Sequence, residues 1–220
     1  LKAFTISKIP DPERFTRRLT ELRLEYQLKT PAALANQTGS RWVPDGAECG
    51  FFHLKLWNKP IKVSYPDGLV FREPTDEPSP PMEQALLLYY FTIADGFPLQ
   101  GNWISFSELP DGKFYNQAFQ GYTGKEIARA FENDLGAFQS AAEKLGGERQ
   151  DLGDRSYRFL ALPYVPLMVA YWVGDDDFPA SAQVLFDASA GRYLTTDSFA
   201  ILGSTIAHRL IAARSHPSEK

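Results

Sequence analysis

Apolar positions along this chain change period several times, and each change marks an element. In residues 11–29, DPERFTRRLTELRLEYQLK, the side chains Phe15, Leu19, Leu22 and Tyr26 recur at helical spacing. Asp11 is a good N-cap and Pro12 suits the first helical position. Residues 30–39, TPAALANQTG, predict a shorter helix stopped by Gly39. The period then drops to two. Phe52, Leu54 and Leu56 alternate with Phe51, His53, Lys55 and Trp57, and beyond Asn58-Lys59 the residues Ile61, Val63 and Tyr65 alternate with Lys62 and Ser64. That is a hairpin with one buried face.

Residues 72–81, REPTDEPSPP, form a proline-rich connection and the best internal boundary. The following SPPMEQALLLYYFTIADG is apolar almost all round, which predicts a buried central helix capped by Ser79. Residues 97–119 read as irregular, with turns at Gly101 and Asp111-Gly112. Thr123 and Glu126 have capping-box spacing. The helix behind them carries Ile127, Ala130, Phe131, Leu135, Phe138, Ala142 and Leu145, and stops at Gly146-Gly147. Strands return in YRFLAL, LMVAYWV and AQVLFD, with Pro163 and Pro166 between the first two. A last amphipathic helix shows the stripe Phe199, Leu202, Ile206 and Leu210.

Helices, hairpin, helices, strands, helix: this order predicts an α+β class, with a largely antiparallel sheet packed against several helices in a single domain over 1–220. Its expected parts are the N-terminal helices plus hairpin (1–71), the proline-rich connection (72–81), the main helical and sheet part (82–214) and a tail (215–220). The two extended blocks are expected to share one sheet.

Composition narrows the function classes. The 220 residues are 44% hydrophobic, enough for a sizeable core. The 27 acidic against 23 basic side chains leave a net charge of -4, which argues against a general nucleic-acid binder. One cysteine, Cys49, excludes an intrachain disulfide and any cysteine-rich zinc or iron–sulfur site built from this chain alone, and it fits a reducing cytoplasm. The apolar run ALLLYYFTIA is about half the ~20 residues of a membrane helix, so no membrane partner is expected. No signal peptide is visible. The chain opens at Leu1 without a methionine, which leaves room for a removed leader or further domain.

The most conspicuous polar feature is the aspartate triplet in WVGDDDFPASAQVLFD. On an extended chain Asp175 and Asp177 share a side, and such a pair can grip a hard cation. A calcium loop is excluded because Phe178, Pro179 and Ala180 stand where oxygen ligands and glycine belong. The plainer reading is three charges solvated just past a buried strand. Cys49 and His53 are four residues apart, but on a strand that is ~13 Å, too far to share one zinc ion. His53 lies on the face of Phe51 and Trp57. It is either an axial ligand for a tetrapyrrole or a polar residue on a wet strand face. His208 faces away from its helix stripe and His216 lies in the tail, so a multi-histidine metal site is not expected.

GYTGKE has Phe119 at the first glycine position of a phosphate loop and Glu126 in place of its Ser/Thr, so the nucleotide motif fails. Ser105 and Ser107 carry turn and helix-cap chemistry. In GNWISFSEL, Trp103 and Phe106 either plug the core or line a ligand cleft. With Phe114, Tyr115, Phe119 and Tyr122 they form the densest aromatic cluster for stacking on a flat ligand.

Several short patterns occur here in order: Gly-x-Trp-x-x-Phe-x-Glu-Leu, Leu-Gly-Gly, Gly-Asp, Leu-Pro-x-x-Pro, Trp-x-x-Asp-x-x-Phe-x-Ala and Leu-Phe-Asp. From about Leu86 to the last helix the chain resembles a family of uncharacterised proteins of anaerobic bacteria and archaea, catalogued only as a domain of unknown function. The resemblance implies an α+β binding domain associated with iron–sulfur or corrinoid metabolism, and no catalytic residue. The expected function is therefore a non-catalytic ligand-binding or accessory domain for a corrinoid or haem. Its aromatic-lined cleft would use Trp103, Phe106, Tyr115, Trp172, Phe178 and His53. The alternatives are a metal-assisted hydrolase using Asp175 and Asp177, and a protein-interaction module with a protein partner.

Overall fold

The computed structural model describes residues 11–214. His216 and the expected tail lie outside them. The described chain divides into two compact units. The first takes residues up to Leu54 and Lys59–Gly96, and the second takes Lys55–Asn58 and everything from Phe97 onward. The division falls after the apolar helix, and the proline-rich segment lies within the first unit.

In the first unit α1 (Pro12–Gln27) and α2 (Pro31–Thr38) start as the sequence predicts. The Asp11 carboxylate accepts from the amides of Glu13 and Arg14, and Gly39 closes α2 in the left-handed region. An antiparallel sheet follows, β1 (Arg41–Pro44), β2 (Gly50–Leu56), β3 (Lys59–Tyr65), β4 (Val70–Arg72) and β5 (Glu77–Pro78), paired in chain order. The proline-rich segment thus holds the β4–β5 turn, β5 itself and the entry to α3. The helix α3 (Pro81–Ile93) buries Leu87, Leu88, Tyr90 and Phe91. Its N-cap is Pro80, and the buried Ser79 hydroxyl caps nothing. Tyr26, Phe52 and Phe91 form the aromatic centre, their rings 5.1–6.2 Å apart. The Lys29 ammonium closes the end of α3 by donating to the carbonyls of Phe91 and Thr92.

The second unit holds another antiparallel sheet. Its strands are β6 (Trp103–Ser105), β7 (Glu148–Gln150), β8 (Arg155–Leu162), β9 (Val165–Trp172) and β10 (Ser181–Asp187), in the order β6-β10-β9-β8-β7. The two extended blocks therefore build separate sheets, and the expected common sheet is not formed. The antiparallel α+β class is as expected, and Phe52, Leu54 and Val169 are buried.

Four helices accompany this second sheet: α4 (Gly112–Tyr122), α5 (Gly124–Phe131), α6 (Leu135–Lys144) and α7 (Thr196–Ala213). Helix α4 lies in a stretch that reads as irregular. The single helix expected over 123–145 breaks into α5 and α6, because Glu132 adopts a φ of +50° and the Asp134 carboxylate caps α6 through the Ala137 amide. Phe106 stacks on Phe119 at 4.0 Å between ring centres, and Phe186 packs on Phe199 at 5.0 Å. Gly203 in α7 lets Phe119 approach so closely that a Cβ there would stand 2.6 Å from its ring. Phe138 stacks on Tyr171 and meets Phe131 edge-on. The β2–β3 turn, Trp57-Asn58, has positive φ at both residues, and the Trp57 amide donates to the Ala161 carbonyl of β8.

Candidate functional site

The β10 register decides whether the expected aromatic cleft can exist. Ser181 pairs with Trp172, and six residues later Asp187 pairs with Trp103. At ~3.4 Å per residue the two tryptophans stand ~20 Å apart, at opposite ends of one strand. Phe106 is buried and stacked on Phe119, so its faces are taken by protein. The Trp172 indole lies where a Cβ on Gly153 would come within 2.9 Å of it. Tyr115 and Phe178 are exposed, at 61% and 71%. His53 belongs to the sheet of the first unit, where its Nδ1 lies 3.0 Å from the Glu73 carboxylate. The structure thus does not gather the five residues of the second unit into one cleft. Phe106 in particular serves as a core plug.

The aspartate triplet forms a turn. The Asp175 carboxylate accepts from the amides of Asp177 and Phe178 at 2.9 and 2.8 Å, and the Asp175 amide donates to the Phe178 carbonyl. One oxygen of the expected cation-binding pair therefore already holds its own loop. Among the described residues there is no group of three or more His, Cys, Asp or Glu side chains that could hold a metal ion.

Other carboxylates do similar work. Glu108 accepts from the amide and hydroxyl of Ser105, which holds its carboxyl below the usual range, and this closes the capping box of the 3₁₀ turn Phe106–Glu108. The box read at Thr123 and Glu126 does not form. The Thr123 hydroxyl donates back to Phe119, and Glu126 pairs with Arg129. Asp154 accepts from the Val173 amide. Asp187, 2% exposed, accepts from the amides of Gln100, Gly101 and Ser189 and from the Ser189 hydroxyl. Burial alone would raise its carboxyl, but these four donors outweigh it and leave the group below its ordinary value.

An open cavity of about 420 Å³ lies on the surface of the second unit, lined by the exposed or half-buried Lys125, Ala128, Arg129, Glu132, Asn133, Pro179 and Ala180. Two elements make it. Helix α5 supplies Lys125, Ala128 and Arg129 at helical spacing, and the chain entering β10 supplies Pro179 and Ala180. Gly124 sets their separation, because its missing side chain admits the Ala182 carbonyl of β10. Between them the Asn133 side-chain oxygen accepts from the Gly174 amide at 2.8 Å, and the Tyr171 hydroxyl donates to the Glu132 carbonyl. Sequence reading missed this site. Lys125 and Arg129, four residues apart, were its only local signal.

A family model described as a domain of unknown function, DUF3786, matches residues 30–209. The chain belongs to the DUF3786 family. No curated protein and no solved structure matches it. The structure explains much of the ordered set of short patterns in this DUF3786 chain. Gly146 turns with a φ of +75°, Gly153 turns beside Trp172, and Asp175 and Asp187 cap loop amides. No helix among the described residues is long and apolar enough to cross a membrane.

Proposed function

We propose that this DUF3786 chain is a non-catalytic ligand-binding domain, and that its ligand site is the cavity beside α5. The carrying observation is a contrast in how polar groups are used. Asp154, Asp175 and Asp187 are committed to backbone amides, whereas the cavity brings together the Lys125 ammonium, the Arg129 guanidinium with donors beyond its bond to Glu126, the Asn133 NH₂ group and Glu132 beside the apolar side chains of Ala128, Pro179 and Ala180. A few polar groups converging on an apolar wall is the usual make-up of a small-molecule site, and the volume falls within the usual range.

The sharper form of the proposal takes a tetrapyrrole, corrinoid or haem, as the ligand. It is supported by the exposed ring of Phe178, next in the chain to Pro179, as a surface on which a flat macrocycle can stack. Titration of the intact chain with haem and with cobalamin, followed by absorbance, tests this form. A saturable spectral change that weakens in Phe178→Ser is expected. No change with either compound ends the tetrapyrrole version. A thermal-shift screen of small metabolites tests the broader reading, which predicts stabilisation by at least one compound.

A second reading, a protein-interaction module, draws on α4. Phe114 and Tyr115 stand 85% and 61% exposed there. It predicts a partner whose capture is lost in a Phe114→Ser, Tyr115→Ser double variant.

A further inference from the structure

We infer that the cavity beside α5 selects for an anion: its ligand is a small organic molecule bearing a carboxylate or phosphate, anchored by Lys125 and Arg129. This rests on the binding-domain reading and specifies the ligand class of that same site. Lys125 and Arg129 are four residues apart on α5, so they share one helix face. The Lys125 ammonium has no hydrogen-bonding or ion-pair partner among the described residues. Arg129 gives its Nη1 to Glu126 and keeps the other donors of its fork.

Asn133 adds a third donor. Its side-chain oxygen is committed to the Gly174 amide, which leaves the NH₂ group to give. One carboxylate residue, Glu132, is also in the lining, and Glu126 is paired with Arg129. Ala128, Pro179 and Ala180 offer apolar contact to the body of the molecule. The junction that carries Glu132 and Asn133 is strained. Glu132 has a φ of +50° with ψ of -122°, a region side chains seldom occupy. The Ala128 carbonyl and the Tyr171 hydroxyl hold it there. Such strain persists only where surrounding structure enforces it, and it clusters at ligand clamps.

The test is an amide-resolved NMR titration of the full chain with four probes of one shape: benzoate, phenyl phosphate, benzamide and benzylamine. Benzoate or phenyl phosphate should shift the Ala128, Asn133 and Ala180 amides saturably. Benzamide and benzylamine should bind about tenfold or more weakly. Lys125→Gln and Arg129→Gln should each weaken the anions, and Glu126→Gln, which frees Arg129, should tighten them. The tighter of the two anions names the head group. If benzamide or benzylamine shifts the same amides as strongly as the anions, the anion inference falls and the cavity remains a binding site. If no probe shifts those amides, the cavity reading falls with it.

Discussion

Gly124 at the start of α5 lies directly against the Ala182 carbonyl of β10, with no room for a side chain between them. This contact fixes how closely the helix approaches the strand, and with it the spacing of the cavity walls. Gly124→Ala should therefore cost about 1–3 kcal/mol of stability, the usual range for overpacking. Urea unfolding measures it. Gly121→Ala, within α4 where an added Cβ meets nothing, should instead leave stability unchanged or raise it by up to about 1 kcal/mol.

Asp187 ties the chain before β6 to the chain after β10. In Asp187→Asn the amide presents two donors to a site built from four, so at least one buried donor loses its acceptor. A loss of about 2–4 kcal/mol is expected. The pH dependence has a definite sign. The folded carboxyl lies below its ordinary value, so the unfolded chain takes up the proton first on acidification. The contribution is complete above the unfolded carboxylate range, about 4, and is lost as pH falls through the lower folded value. Unfolding curves from pH 7 to pH 3 should show this loss in the parent and not in the variant.

The two outer members of the aspartate triplet should behave differently. Asp175→Ala removes the acceptor for two amides and should cost about 1 kcal/mol. Asp177→Asn should change stability by less than about 0.5 kcal/mol. Magnesium affinity measured by calorimetry should be the same in both variants as in the parent.

Phe106 and Phe178 share a residue type and differ in environment. Phe106→Ala empties a stacked core position and should cost about 3–5 kcal/mol. Phe178→Ser exchanges a ring that is 71% exposed and should cost little in stability while weakening any stacked ligand. Thermal unfolding with and without haem separates the two effects.

Local chemistry was readable from the letters. The Asp11 cap, the Gly39 stop, the alternation in β2 and the stripe of α7 all rest on near neighbours in sequence, whereas in β3 the alternation fails at the buried Ser64. What failed was long-range or competitive. Two extended blocks look alike in sequence, and nothing local says whether they join one sheet. Asp111-Gly112 reads as a turn, and the α4 behind it carries exposed Phe114 and Tyr115 that blur its helical stripe. The break at Glu132 has no glycine or proline to announce it. Capping-box letters occur at both Ser105 and Thr123, and only tertiary packing decides that the first closes while Thr123 bonds backward to Phe119. The cavity was the least legible of all, because its walls come from segments about fifty residues apart in sequence. Strand register likewise put Trp103 and Trp172 at opposite ends of β10, which residue types alone do not reveal.

The most direct test fills the cavity. Ala128 lines it and is only partly buried, so Ala128→Trp should plug the space while the chain keeps its fold. Amide-resolved titrations of parent and variant with benzoate and with haem should show saturable shifts at Asn133, Gly174 and Ala180 in the parent and none in the variant. Equal binding by the plugged variant, or shifts confined to another part of the chain, would contradict the assignment of this cavity as the ligand site.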